Sequence, residues 1–343
     1  MSSELAPGRR VTVAFAERPP DFVRQMATQA LTGFDLRIPD GDSRAAVESA
    51  IRGADVLIAR KRRIGSREMD CAEPSLILVL GRNPIPVSLR AAADRWIPVT
   101  AIVHPGAIAV ADHTLGLLLA VARRIVEGDR GVRDGAYRER GLEPSVTTER
   151  LFAFNWLGRR DAFILDGLEL GLVGFGAIGQ EVARRAIGFG MRVRYYQRTR
   201  LHLGWHRRLG VERATFLEDL VEESDVLSLH IPHTPQTENL LDGPMLDRMK
   251  PGAILVNTAR GGLVDEAALA ERLRDGRLGG AGLDVFREEP LPADHPFVDT
   301  PRLVLAPHTG GAGAGGQREL FVQVAAAIRE HVAEEIRKGK PFP

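Results

Sequence analysis

Only one of the 343 residues, Cys71, is a cysteine. That excludes an intrachain disulfide and a cysteine-built metal cage, so we expect a reducing, cytoplasmic setting and no metal. An excess of one charge sign is lacking too: 46 Lys and Arg stand against 45 Asp and Glu, a formal net charge of +1. So even a balance gives no reason to expect nucleic acid or an anionic membrane as a partner, and a small ionic ligand fits better. No long apolar run is free of polar residues. The longest, Ala101 to Ala122, contains His104, Asp112 and His113 and reads as a buried or interface helix rather than a membrane span. Met1 to Arg10 carry no apolar stretch of the signal-peptide kind, and no internal repeat is visible. What is present is an ordinary globular balance, 44% hydrophobic and 27% charged residues, over a length that suits two domains.

From Leu168 onward, short apolar runs alternate with amphipathic stretches, the pattern of a parallel sheet with crossover helices. Six strand-like runs are predicted: Leu168 to Val173, Arg192 to Tyr196, Asp225 to Leu229, Gly252 to Asn257, Gly280 to Val285 and Leu303 to Ala306. Between them, Gln180 to Phe189 and Asp265 to Arg274 read as helices, the second capped by Asp265. This is the make-up of a doubly wound, Rossmann-type dinucleotide domain. The front of the chain has strand candidates at Arg10 to Phe15, Val56 to Ala59 and Ser75 to Leu80, with helices at Pro20 to Leu31 and Arg44 to Arg52, a smaller α/β domain. A helix from about Val110 to Val126 would link the two, and Gln317 to Lys338 would pack back on the first. The expected division is 1–108 for the first part of a substrate domain, 109–308 for the dinucleotide domain, and 309–343 for the return to the substrate domain. The segment 129–160 shows little periodicity; its Phe152, Phe154 and Trp156 suit either an extended arm on another surface or an ordinary loop.

The first strand of the larger domain runs into Gly174-Phe175-Gly176-Ala177-Ile178-Gly179, a GxGxxG pattern between strand and helix. There Gly174 serves the tight turn, Gly176 lets the backbone approach a pyrophosphate, and Gly179 permits close helix packing, so phosphates meet a helix N-terminus. About 20 residues on, an NAD site normally carries an acidic residue for the ribose 2′-hydroxyl. Here Gln197-Arg198-Thr199-Arg200 follow the strand and no carboxylate appears. Arginine pairs with a 2′-phosphate, so NADP is favoured over NAD, the alternative being that Arg198, Arg200, Arg207 and Arg208 form only a solvated basic face.

Distinctive polar residues follow the last three strands, where open α/β sheets bind ligands. They are Arg260, Glu289 and His308. A guanidinium that binds a carboxylate and polarises a carbonyl, an imidazole that moves a proton, and a carboxylate that orients it are the groups needed to reduce a keto acid. Each alone has a plain structural reading: a surface Arg, an exposed Glu, a satisfied His. Their joint placement points to a catalytic set.

Val256-Asn257-Thr258-Ala259-Arg260-Gly261, Ala281-Gly282-Leu283-Asp284-Val285-Phe286 through Glu289-Pro290, and Ala306-Pro307-His308-Thr309-Gly310 closely resemble the signature blocks of the D-isomer-specific 2-hydroxyacid dehydrogenases, which include phosphoglycerate dehydrogenases and glyoxylate/hydroxypyruvate reductases. His230-Ile231-Pro232-His233-Thr234-Pro235-Gln236-Thr237 and Val110-Ala111-Asp112-His113-Thr114 are similar to two further blocks. The resemblance implies a Rossmann domain inserted in a smaller flavodoxin-like substrate domain, dimerisation through the linking helix, and hydride exchange between a nicotinamide dinucleotide and a small 2-keto or 2-hydroxy acid. It implies that Asp284 holds the nicotinamide carboxamide, and that His230, Pro232, Thr237, Thr258, Ala259 and Gly310 line the cofactor. The alternative class is a non-catalytic dinucleotide-sensing regulator of corepressor type, against which the three polar residues together argue. The family's glycine-rich substrate loop is altered to Gly81-Arg82-Asn83-Pro84-Ile85-Pro86-Val87, where two prolines remove two backbone donors. Asn83, Pro84 and Ile85 are expected to contact the substrate with Arg260, and Ile85 and Val87 would favour an apolar substituent.

Overall fold

The computed structural model describes residues 10–81, 86–149, 154–198, 209–312 and 316–338. They form two compact units, one within Met1–Ala109 and Gly311–Pro343, the other within Val110–Gly310.

In the first unit, β1 (Thr12–Phe15), β2 (Asp35–Arg37), β3 (Val56–Ala59), β4 (Leu76–Leu80) and β5 (Val99–Ile102) make a parallel sheet of order β2-β1-β3-β4-β5. This is the flavodoxin-like order. Successive strand residues bury on opposite faces: Val13 and Phe15 join one core layer, Ala14 and Ala16 the other. The return helix Gly316–Arg337 supplies Leu320, Phe321, Val324 and Ile328 to the first layer, with the Phe321 ring 6.1 Å from that of Phe15. Two of these strands carry no sequence signal that we read. β2 is a three-residue polar edge strand, and β5 merges in sequence with the apolar run that follows it.

In the second unit, β6 (Glu169–Val173), β7 (Arg192–Tyr196), β8 (Glu212–Arg213), β9 (Val226–Leu229), β10 (Ile254–Asn257), β11 (Gly280–Leu283) and β12 (Leu303–Leu305) form a parallel sheet of order β12-β11-β10-β9-β6-β7-β8. The strand order reverses between β6 and β9, which opens the crevice of a dinucleotide fold at their carboxyl ends. Among the described residues seven strands stand where six are expected. The extra one, β8, is two charged residues on the edge, where apolar alternation is not required. Leu172 and Val256 bury on one face, Val173 and Leu255 on the other, so both faces are covered. Local chemistry agrees with the helix ends. The Asp265 carboxylate accepts from the Ala268 N–H at 3.0 Å and caps Glu266–Arg274, and Asp242 caps Gly243–Arg248 in the same way.

The linking helix differs from expectation at both ends. It spans Pro105–Ala122, starting at a proline that needs no helical N–H donor, and stops before Arg124, which takes the left-handed conformation at φ 55°. A second helix, Ile125–Arg133, and a 3-10 turn, Ala136–Arg140, occupy the front of the segment read as aperiodic. Farther along, Trp156 packs edge-on against Tyr137 at 5.8 Å and Phe154 is 82% exposed, while Phe152 lies outside the described residues. Among the described residues Pro105–Ala122 is the one helix long and apolar enough to cross a membrane, and half of its residues are buried within the chain.

Candidate active site

β6 ends where its backbone must turn beside β9. Gly174 stands at φ 98°, and a Cβ there would run into the His230 carbonyl, so both conformation and space require glycine. Gly176 is different: a Cβ on it would meet nothing within 4 Å. Nothing among the described residues demands glycine at 176. It caps the helix Ala177–Gly188 without a side-chain acceptor, so no cap side chain engages the first-turn N–H groups. A bound pyrophosphate fits that place by both room and charge. Ala177 and Ile178 form the half-buried first turn, and a Cβ on Gly179 would strike the Gly174 carbonyl. Phe175 turns its ring inward to stack on Tyr195 at 4.2 Å, leaving its backbone at the site. Gln180, which we did not single out in the sequence, is buried. Its Nε2 donates to the Phe175 carbonyl at 2.9 Å and its Oε1 has no partner among the described residues.

Gln197 follows β7, and its Oε1 accepts from the Phe175 N–H at 3.1 Å. Arg198 is exposed, and Thr199, Arg200, Arg207 and Arg208 lie outside the described residues. After β9, the His230 ring nitrogen is 3.0 Å from the Ser228 hydroxyl, and burial pushes the imidazole pKa down to about 3, so the ring is neutral. Thr237 donates to the Pro232 carbonyl at 2.9 Å and accepts from the Thr234 N–H, which closes the loop 232–237.

The catalytic candidates come from three neighbouring strand ends. After β10, Asn257 is buried and braces the turn with both ends of its amide: Oδ1 accepts from the Ala259 N–H at 3.0 Å and Nδ2 donates to the Arg260 carbonyl at 2.8 Å. The Arg260 side chain is exposed. Thr258 lies beneath, its hydroxyl 2.9 Å from that of Thr114. A Cβ on Gly261 would strike the Phe286 carbonyl carbon, so glycine allows the β10 and β11 exits to touch. After β11, Glu289 accepts from the Phe286 N–H at 3.0 Å through Oε1 and holds His308 Nδ1 at 2.7 Å through Oε2. Burial acts to raise the Glu289 pKa, but those two hydrogen bonds and the charges of His308 and Arg260 outweigh it and hold the carboxyl below its ordinary range. His308 itself sits in the left-handed region at φ 53°, which is uncommon for a residue with a Cβ and aims its ring back at Glu289. With Nδ1 engaged, Nε2 is left for a ligand. Glu289 and His308 also wall a cavity of about 530 Å³ lined by Phe286, Pro290, Leu291, Leu305 and Pro307.

Asp284 is buried, with Oδ1 accepting from the Thr309 N–H and Oδ2 from the Gly310 N–H, each at 2.8 Å, and His113 Nε2 3.1 Å from Oδ1. Its carboxylate therefore pins the loop that carries His308. We missed His113 and Asn257 as contributors, because a brace is defined by partners distant in sequence. Of the expected substrate contacts, Asn83, Pro84 and Ile85 lie outside the described residues.

Comparison with known proteins bears on the whole arrangement. Residues 115–310 match the family model "D-isomer specific 2-hydroxyacid dehydrogenase, NAD binding domain". A glyoxylate reductase of Korarchaeum cryptofilum is 40% identical over 289 residues, 82% of this chain and 81% of that protein. A D-3-phosphoglycerate dehydrogenase of Mycobacterium leprae is 35% identical over 303 residues, 88% of this chain but 53% of the relative, so the chain spans about half of that enzyme. Among solved structures, the TT0316 protein of Thermus thermophilus is 37% identical with a TM-score of 0.53, covering 96% of this chain and 98% of the other.

Proposed function

The chain belongs to the D-isomer-specific 2-hydroxyacid dehydrogenases, and we propose on that premise that it reduces a small 2-keto acid to the 2-hydroxy acid through Arg260, Glu289 and His308, with NADPH preferred. The observation that carries the reading is the 2.7 Å hydrogen bond from His308 Nδ1 to Glu289, which leaves Nε2 free, while the β11 exit that carries Glu289 touches Gly261 beside Arg260. The Arg260 guanidinium binds the substrate carboxylate as a fork and polarises the adjacent carbonyl. Protonated His308 gives its Nε2 proton to the keto oxygen, and Glu289 stabilises the imidazolium and fixes the ring. A bound nicotinamide dinucleotide supplies the hydride. Gly174 to Gly179 hold its pyrophosphate, with the opening at Gly176 and the uncapped helix start in support. His230, Pro232, Thr237, Ala259 and Gly310 would line the cofactor, and Asp284, whose carboxylate accepts from two loop amides, would hold the carboxamide with its remaining lone pairs.

Preference for NADPH rests on Gln197 and Arg198, since a carboxylate there would repel a 2′-phosphate and an amide does not. A homodimer through the linking helix fits the half of Pro105–Ala122 left unburied by the chain, and light scattering at the mass of two chains checks it. The deciding experiment is a panel of 2-keto acids assayed by loss of NADPH or NADH absorbance. We expect turnover of at least one small keto acid and higher kcat/KM with NADPH; oxidation of neither dinucleotide by any of them rejects the reading.

A further inference from the structure

Three arginines on the two outer strands of the larger sheet differ in how their charge is met. Arg192 pairs with Glu169 at 3.1 Å and Arg194 pairs with Glu223. Arg213, on β8, has no carboxylate partner among the described residues. Among the described residues its one hydrogen bond runs from Nη2 to the Gln197 carbonyl at 3.0 Å, and its buried Nε has no partner there. A guanidinium carries five N–H donors, so most of its capacity is unused. Its placement is also specific. Arg213 is in register with Tyr195 and so shares its face of the sheet, and its guanidinium reaches the backbone of Gln197, the residue that directly follows β7. Gln197 is where a dinucleotide fold meets the adenosine ribose. The half-buried stem of Arg213 therefore ends in an unpaired cation beside the residue that faces the 2′-position.

We propose that Arg213 reads the 2′-phosphate of NADP and so sets the choice between the two dinucleotides. The inference rests on the NADPH preference above and adds a residue from a different strand. A 2′-phosphate brings about −1.5 to −2 charge, with oxygens that accept from a planar donor fork. The 2′-hydroxyl of NAD offers no charge, and beside it the Arg213 guanidinium stays unneutralised. Arg198, exposed two residues after β7, would be a second cation for the phosphate.

The test uses the intact chain and two fragments that lack nicotinamide, 2′-phospho-ADP-ribose and ADP-ribose, titrated by calorimetry on wild type, Arg213→Gln and Arg213→Lys. We expect wild type to bind the phosphorylated fragment more tightly. In Arg213→Gln the ratio of the two affinities should fall about 10- to 100-fold, the range of one or two charge-assisted hydrogen bonds. The lysine variant should fall between, because an ammonium keeps the charge and loses the fork. The ratio of NADPH to NADH kcat/KM should move in parallel. A wild type without preference for the phosphorylated fragment rejects the NADPH preference, and Arg213 with it. A wild-type preference that survives in Arg213→Gln, or a loss shared equally by both fragments, overturns the role of Arg213 alone. Melting temperatures of the variants identify a folding defect, in which case the lysine variant decides.

Discussion

His308 depends on Glu289 for its orientation and on its own strained backbone for its aim, so the two side chains should fail differently when altered. His308→Ala removes the proton donor. Turnover should drop by roughly 10²- to 10⁴-fold while dinucleotide affinity holds, and stopped-flow reduction beside fluorescence titration separates the two. Glu289→Gln keeps the shape but loses the charge that stabilises the imidazolium, so kcat should fall by roughly 10- to 10³-fold. Because the Glu289 carboxyl titrates below its ordinary range, its orienting charge is present at neutral pH and is lost only as pH falls through that depressed value. The acid limb of the wild-type rate profile that belongs to Glu289 should therefore lie below the ordinary carboxylate range and vanish in Glu289→Gln. Arg260→Lys should lower kcat/KM by about 10- to 100-fold, since one ammonium cannot reproduce two parallel hydrogen bonds. An unchanged rate would remove Arg260 from the carboxylate site.

The strand-to-helix turn after β6 separates two kinds of glycine. Gly176→Ala puts a methyl group into open space at an allowed φ of −74°, so the melting temperature should hold or rise while dinucleotide affinity falls at least tenfold. Gly174→Ala meets the His230 carbonyl at a φ reserved for glycine, so stability should fall by about 1–3 kcal/mol whether or not ligand is present. Equal affinity losses without a stability difference would contradict this division of roles. The GxGxxG spacing shows the turn in the sequence, but only the structure tells which glycine serves the fold and which leaves room for a ligand. The same limit explains the other gaps. β10 and β11 are legible because both of their faces are buried and they read as apolar runs, whereas β2 and β8 are short polar edges held by backbone bonds to a neighbour. Arg260, Glu289 and His308 are legible because they follow strands. Asn257 and His113 are not, since their function is in what they touch: Asn257→Ala would strip the Ala259 N–H and Arg260 carbonyl of partners, and His113 meets a carboxylate 171 positions away.

Each unit encloses its own sheet between two apolar layers, yet their acid sensitivity should differ because the larger unit holds an imidazole that cannot easily be charged. His230 has a folded pKa of about 3, against an ordinary value of 6.5 in the unfolded chain. Between those values the unfolded chain binds a proton that the folded unit does not, so stability rises with pH across the window. The contribution is complete above about 6.5 and is lost progressively as pH falls toward 3. The slope approaches about 1.36 kcal/mol per pH unit in mid-window, and the whole effect is on the order of a few kcal/mol after allowance for the ring's partial exposure. Replacement by an uncharged residue of similar reach, His230→Gln, keeps a partner for Ser228 and removes the titration. Urea unfolding of wild type and His230→Gln from pH 7 to pH 4 should therefore show a steep loss in the first and a shallower one in the second, with the difference confined to signals from the larger unit. Parallel pH slopes for the two proteins would mean that the His230 ring takes up its proton in the folded state with little penalty, and that the enclosure at the end of β9 is open to water.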